Sequence, residues 1–359
     1  MHPDRWESGS EFHWPSYDPS RERTTYPFSE RGQLYGTGRD AMRALLSFGR
    51  EKLDWLRLWC PTFFCQDVVS ALLDTGITVE TYRDDPTRVE PDLDAIDVRP
   101  GDALLLVNYF GLRDRSSAKK VPDGVTVIED HTHDPVSAWA WESQADFCVA
   151  SLRKTLPIPD GGALWSPKEH PLPASVPTTA VRNDASGRKL AAMLMKALYL
   201  AGASVDKPAF RAEAVGGEQV IASGDISGIT TWSEQLVASF PITDWWAQRK
   251  RNHASLAQIV EGLSGVELLI PTLEESCPFS AYLVFDSAAR RDVARFALCE
   301  RSVYPAVLWT LDEPVVAGIS TEDVELSRRM LSLHCDFRYG KQDIKGIGQI
   351  LAAAVESDR

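Results

Sequence analysis

The sequence predicts an α/β protein: a large unit built on a mostly parallel sheet covered by helices, then a smaller α+β unit. Three observations carry this. Between residues 56 and 82 a strand pattern, a loop, a helix pattern stopped at Gly76 and a second strand pattern form a β-loop-α-β unit. After Asp102 comes ALLLVNYFG, a continuous apolar run of the kind found in strands buried on both faces of a parallel sheet. Two further short apolar runs, VTVIED from Val125 and FCVASL from Phe147, follow with few residues between them. Such an alternation places ligands at the carboxyl ends of the strands.

The elements follow in order. Residues 1–30 are polar with scattered aromatics (Trp6, Phe12, Trp14, Tyr17, Tyr26, Phe28), which reads as an irregular arm lying against the body of the protein. Residues 31–240 make the large unit and residues 241–359 the small one. Thr37-Gly38-Arg39-Asp40 precedes AMRALLSFG, whose apolar residues recur at helical spacing, so free backbone N–H groups and a hydroxyl meet at a positive helix end. A helix is expected from Arg182 to about Leu200. Residues 203–230, rich in Gly, Ala and Ser, read as a long connection. Helices follow through TTWSEQLVASF and from Thr243 to about Leu263. VELLI and YLVFD read as strands, ARRDVARFALCER as a helix and SVYPAVLW as a strand and loop. STEDVELSRRMLSL and KQDIKGIGQILAAAV read as closing helices, the first with a Ser/Thr-x-x-Asp start signal.

Bulk properties narrow the class. With 359 residues, 44% hydrophobic and 25% charged, the chain can bury a sizeable core. A net charge of -13 argues against nucleic acid and against anionic membrane surfaces as partners. The six cysteines form no CxxC pair, so neither a zinc site nor a disulfide framework is expected, and no metal is assigned. No apolar run approaches a membrane span and the first residues carry no secretory pattern, so a soluble cytoplasmic protein is the expectation.

Chemistry concentrates at the strand ends. Lys154 stands just past an apolar strand and before a Gly-Gly turn, where a lysine has little packing reason to be. Asp130 ends the preceding strand. Thr37, Gly38 and Arg39 offer an anion site, joined by the hydroxyl of Ser151. Phe63 or Phe64 lies at another strand end, placed to stack on a flat ring, and His133 follows Asp130 by three residues. Alone, each has an ordinary explanation: surface lysine, capping aspartate, core phenylalanine. Together they match the needs of pyridoxal 5'-phosphate. That cofactor requires a lysine for an imine, a carboxylate to keep the pyridine nitrogen protonated, phosphate donors, a stacking group and a partner for its phenolic oxygen.

The sequence resembles the DegT/StrS family of pyridoxal-phosphate-dependent sugar aminotransferases, of the aspartate-aminotransferase-like fold type I, over roughly residues 34–355. The family's Ser-Gly-Thr-x-Ala-Leu helix start is similar to Thr37-Gly38-Arg39-Asp40-Ala41-Met42, and its Glu-Asp-x-Ala-His/Gln to Glu129-Asp130-His131-Thr132-His133. Its serine, lysine and Gly-Gly are matched by Ser151, Lys154, Gly161 and Gly162. Supporting likenesses run through the Pro61–Val69 loop and helix, Asn108–Gly111, Gln248–His253, Arg290–Pro305 and Leu331–Leu333. Three departures stand out. Ser-x-x-Lys is compact, Arg39 replaces a family Thr, and the stretch that reaches a neighbouring subunit's phosphate has only Gly224–Ile229 as a counterpart.

The resemblance implies an aminotransferase that moves an amino group from an amino-acid donor to a keto-sugar or similar small carbonyl acceptor. It implies a Lys154 Schiff base in the resting state, with Lys154, Asp130 and His133 as catalytic residues. Relatives are dimers with active sites between subunits, so a homodimer is implied too. Two rival readings are a dehydratase, lyase or other tailoring enzyme of the same fold, and an idle relative serving as a binding or regulatory subunit. Lys154, which such dehydratase relatives usually lose, weighs against the first, and Lys154, Asp130 and Gly161-Gly162 weigh against the second.

Overall fold

The computed structural model describes residues 5–9, 11–17, 23–113, 121–273 and 275–356. Along the chain run β1 (Ser8–Gly9), β2 (Gln33–Tyr35), α1 (Gly38–Lys52), β3 (Arg57–Pro61), α2 (Gln66–Leu73), β4 (Thr78–Tyr82) and β5 (Asp102–Val107). They are followed by β6 (Thr126–Asp130), α3 (Ala138–Trp141), β7 (Phe147–Ala150), β8 (Gly162–Trp165), α4 (Ala180–Leu200), α5 (Lys207–Ala222), α6 (Thr231–Val237) and α7 (Ile242–Val260). The last part holds β9 (Val266–Leu268), β10 (Ala281–Phe285), α8 (Ala288–Glu300), β11 (Val303–Tyr304), α9 (Thr321–Arg329), β12 (Met330–Leu333) and α10 (Lys341–Glu356).

Seven strands form the central sheet in the order β2-β8-β7-β6-β5-β3-β4. The five from β7 to β4 are parallel, and β8 runs against β7 and β2. The run after Asp102 is buried on both faces, as its composition requires. Ala103, Leu105 and Val107 enter one hydrophobic cluster, whereas Leu104 and Leu106 enter the cluster on the opposite face. β7 divides the same way, Phe147 and Val149 from Cys148 and Ala150. Each fully buried Leu or Val contributes about 1.5–3 kcal/mol relative to exposure. A one-residue slip would therefore exchange both faces at once.

A second, three-stranded antiparallel sheet, β12-β10-β9, belongs to the C-terminal part. It has its own core with α7, α8 and α10, around Leu256, Leu283, Phe285, Leu298, Leu331 and Leu351. The architecture is α/β with a mostly parallel sheet and a smaller α+β part, as the alternating pattern predicts. The N-terminal arm lies along both parts. β1 pairs in parallel with β11, Phe12 stacks on Phe337 with centroids 5.8 Å apart, and Trp6 donates to Asp343 at 2.6 Å.

Two segments differ from the sequence reading. Residues 203–230 are not a long connection, since α5 occupies much of them, capped by Asp206 and started by Pro208. Paired glycines dilute its helical signal, and packing explains them. A Cβ on Gly217 would stand 2.6 Å from the Lys189 Cγ and 2.8 Å from the Ala185 carbonyl, so the glycine lets α5 press against α4. The segment STEDVELSRRMLSL is only half helix. α9 ends at Arg329, and MLSL becomes β12, which pairs with β10. Leucines spaced two apart suit a strand when a neighbouring strand offers a ladder, and local periodicity does not show that neighbour. Gly217→Val should destabilise the fold by about 1–3 kcal/mol through overpacking of the α4–α5 contact. Chemical denaturation of the variant against the native chain measures this.

Candidate active site

The carboxyl ends of β3, β6 and β7 and the amino end of α1 meet at a cavity of about 200 Å³. Its wall includes Thr37, Gly38, Arg39, Phe64, Asp130, His133, Ser151 and Lys154. Of the residues singled out in the sequence, Phe63 alone lies outside this wall. It is fully buried behind, against Tyr109 and Trp309, while Phe64 faces the cavity. A larger groove of about 760 Å³ lies at the opposite strand ends, between Leu53, Gly101, Pro122–Thr126 and Phe147. Its lysine and histidine, Lys168 and His170, pair with Asp146 at 2.9 and 3.1 Å, and ligands in open α/β sheets bind at the carboxyl ends.

Thr37 caps α1: its hydroxyl accepts from the Asp40 N–H at 3.0 Å and its carbonyl from the Ala41 N–H at 3.1 Å. The N–H groups of Gly38 and Arg39 have no intrahelical partner and mark an anion site. Gly38 is required by proximity, because a Cβ there would lie 2.8 Å from the Ser151 Cβ. Behind the cap the buried Asp40 meets Arg182 of α4 at 3.2 Å, which fixes the angle at which α1 approaches.

Lys154 follows from the shape of one turn. After β7 the chain makes a 3₁₀ turn over Leu152–Lys154, with the Lys154 N–H bonded to the Ser151 carbonyl at 3.2 Å. Residues three apart eclipse one another in such a turn, so the Ser151 hydroxyl and the Lys154 amine lie on one side. The compact Ser-x-x-Lys spacing has this cause. Asp160 holds the following loop: its carboxylate accepts from Ser186 at 2.8 Å, from the Thr230 N–H at 2.9 Å and from the Thr230 hydroxyl at 2.7 Å. Lys154 is exposed through the cavity yet surrounded by protein. Burial, then the Arg153 guanidinium beside it, hold its ammonium below the usual lysine range, with Cys65 and Glu218 pulling the other way.

Asp130 accepts one backbone N–H, from Thr132 at 2.8 Å, and burial raises its carboxyl above the usual range. Among the described residues no ion pair engages it. The histidine pair divides. His131 turns into the protein and bonds Glu129 at 3.0 Å, beside Ser143 at 2.6 Å from the same oxygen. His133 faces the cavity. The Phe110 N–H lies 3.3 Å from its Nδ1, which must then act as acceptor, so the neutral ring carries its hydrogen on Nε2. Burial and then Lys154 lower its pKa to about 3, which keeps it neutral. Phe110 reaches this position with φ 58, locked by stacking on Tyr282 at 3.7 Å.

Several wall residues escaped the sequence reading. Trp309 comes from the loop after β11 and packs on Phe64 at 5.7 Å, on His133 at 5.7 Å and on Phe110 at 5.4 Å. Its φ of 53 is strained for a bulky residue, and such strain collects at functional positions. Phe279 (5.0 Å from His133), Cys65, Arg153 and Glu218 also line the cavity. All except Cys65 and Arg153 are distant in sequence from the strand-end motifs. The segment Gly224–Ile229 packs on its own chain: Ser227 is fully buried, and its carbonyl accepts from the Gly36 N–H at 2.8 Å.

No family model matches the chain, and no curated protein matches it. Solved structures do. The aminotransferase TlmJ of Streptoalloteichus hindustanus superposes with a TM-score of 0.63 at 14% identity, covering 92% of this chain and 87% of TlmJ. AtS13 of Actinomadura melliaura gives 0.60 at 16% identity over 90% and 86%. PseC of Helicobacter pylori, an aminotransferase of pseudoaminic acid biosynthesis, gives 0.61 at 11% identity over 98% of this chain and 100% of PseC. The chain has the fold of these proteins, TlmJ and PseC being aminotransferases.

Proposed function

We propose that the protein is a pyridoxal-phosphate-dependent aminotransferase that moves an amino group from an amino-acid donor to a keto-sugar or a similar small carbonyl compound. One observation carries the reading: a lysine, an unpaired strand-end carboxylate, a neutral histidine with Nε2–H available and an open helix N-terminus line one cavity. That donor set fits the cofactor group by group. Thr37, Gly38, Arg39 and Ser151 would hold the phosphate, and Asp130 the pyridine nitrogen. His133 would hold the phenolic oxygen, Phe64 a ring face, and Lys154 the reacting carbon. A pyridinium would also remove the cost of the lone Asp130 charge.

When bound, the group supplies an electron sink for negative charge developing at the donor's Cα. The chain's own residues do the rest. Lys154 Nζ takes and returns the proton, and the burial that holds its ammonium below the usual lysine range favours the uncharged form that can take it. Asp130 keeps a proton on the atom facing it. The anchors at residues 37–39 and 151 fix the distance over which Nζ must move a proton. Phe64, Phe279 and Trp309 exclude water from that path. Two solved neighbours support a sugar as the acceptor: DesI, solved in the presence of its TDP-sugar product, and PseC of pseudoaminic acid biosynthesis. A homodimer, a cytoplasmic location and a division of the chain near residues 30 and 240 belong to the same reading. Among the described residues no helix is long and apolar enough to cross a membrane.

Added pyridoxal phosphate should turn the protein yellow, and borohydride should then fix the cofactor to Lys154, with neither seen in Lys154→Ala. A native protein that stays colourless at saturating cofactor sinks the proposal. Glutamate or glutamine should bleach the band of the native protein, and a keto-sugar acceptor should restore it. Asp130→Ala should lower kcat on the order of 100-fold and loosen the cofactor, measured by steady-state rates and by dialysis. Cofactor capture should persist to lower pH than a lysine with the ordinary pKa of about 10.4 allows. A pH series of absorbance after mixing tests this.

A further inference from the structure

Beside Lys154 lies a second charged group that the proposed chemistry has not used. Arg153, the neighbour of Lys154 in the 3₁₀ turn, makes a two-point contact with Glu218 of α5, one arm at 2.7 Å. Lys189 of α4 bonds the same carboxylate. Two cations thus share the Glu218 carboxylate, Glu11 of the arm stands at the same cavity, and among the described residues the Arg153 Nε is buried with no partner. The cluster borders two cavities that both reach Lys154, the one described above and another of about 290 Å³ bounded by Phe12, Ile158 and Met193. The pair is partly buried, so solvent screens it less than an exposed one. It stands where a charge acts on a reacting amine.

Resting on the reading of Lys154 as the reactive amine, we propose that Arg153, Lys189 and Glu218 are positioning residues that act on Lys154 through space. The α4–α5 hairpin carries Lys189 and Glu218 across the cavity from the turn that bears the lysine. The two cations favour the uncharged amine, the form that attacks a carbonyl, while Glu218 moderates that push and keeps Arg153 in place. Other groups face Lys154 as well: Arg39 from α1, Cys65 and Asp67 from the start of α2, Asp130 and His133 from the end of β6, and Glu11 from the arm. His133 is neutral. Burial lowers the Lys154 pKa most, Arg153 and Lys189 lower it further, and Cys65 and Glu218 raise it.

The test uses the full chain without cofactor, so its result is independent of whether pyridoxal phosphate binds. Trinitrobenzenesulfonate labelling of Lys154, read by peptide mapping over a pH series, gives the midpoint of the amine directly. Arg153→Met and Lys189→Met should move it up, Glu218→Gln down, and Arg153→Lys should leave it near the native value. Labelling at neutral pH should change roughly fivefold in the corresponding direction. Circular dichroism identifies any variant that fails to fold, and Lys189→Met and Glu218→Gln then decide as a pair. Midpoints that do not move, or that move the same way in those two, overturn the proposal and leave the cluster as a structural tie.

Discussion

The approach of the α1 amino end to the end of β7 is the constraint on which the site depends. Gly38 and Ser151 touch at a distance that admits no side chain on the helix residue. This single contact brings the amino end of one element to the hydroxyl that begins the lysine turn of another. It is held from both sides. Asp40 and Arg182 bind α1 to α4, and Asp160 binds the loop after the lysine to α4 and to the start of α6. Both anchors are buried carboxylates whose partners come from far along the chain, so they form only when the large sheet and its covering helices are assembled. Removing a partner from such a group costs more than the bond itself, because the remaining charge stays buried.

Around this frame the cavity concentrates groups that the fold does not satisfy. Asp130 is met by the Thr132 backbone and side chain and, among the described residues, by no cation. His133 is neutral with one ring nitrogen used by the Phe110 N–H, and Lys154 is held below its usual range by burial and by Arg153. Elsewhere the chain handles buried charge differently. Arg113 and Asp84 form a two-point pair at 2.6 and 2.9 Å, with Arg113 also donating to the Asp85 carbonyl at 2.8 Å. The contrast between this two-point pair and the Asp130 carboxylate, which no ion pair among the described residues engages, is what the proposed cofactor role of Asp130 draws on.

Much of the layout was legible because it rests on local rules. Strands buried on both faces read as continuous apolar runs, α1 announces itself by Thr37 and its apolar spacing, and an acid or lysine just beyond an apolar run stands out against it. What was not legible depends on contacts between distant segments. α5 looks like a loop because its glycines serve α4 rather than the helix itself. β12 looks like the end of a helix because its partner strand lies some fifty residues earlier. Trp309 reaches the cavity from the loop after β11, which no spacing links to Phe64. The two phenylalanines at the end of β3 were indistinguishable in sequence, since adjacent residues at a strand end point to opposite sides and only the packed structure says which side is open.

The compact spacing of Ser151 and Lys154 follows from the same geometry. A 3₁₀ turn advances about 2.0 Å per residue and returns to the same side after three. Three residues therefore suffice to set an anion donor and an amine facing one way, provided nothing longer intervenes. The residue between them that faces away, Leu152, is fully buried in the opposite cluster and pins the turn to the sheet. The other, Arg153, cannot be buried unpaired, and its position beside the lysine demands an acid from outside the turn. Glu218 meets that demand, and Gly217, one residue earlier, lets α5 come close enough to deliver it. A short turn at the lysine and a tightly packed helical hairpin above it are thus one solution rather than two.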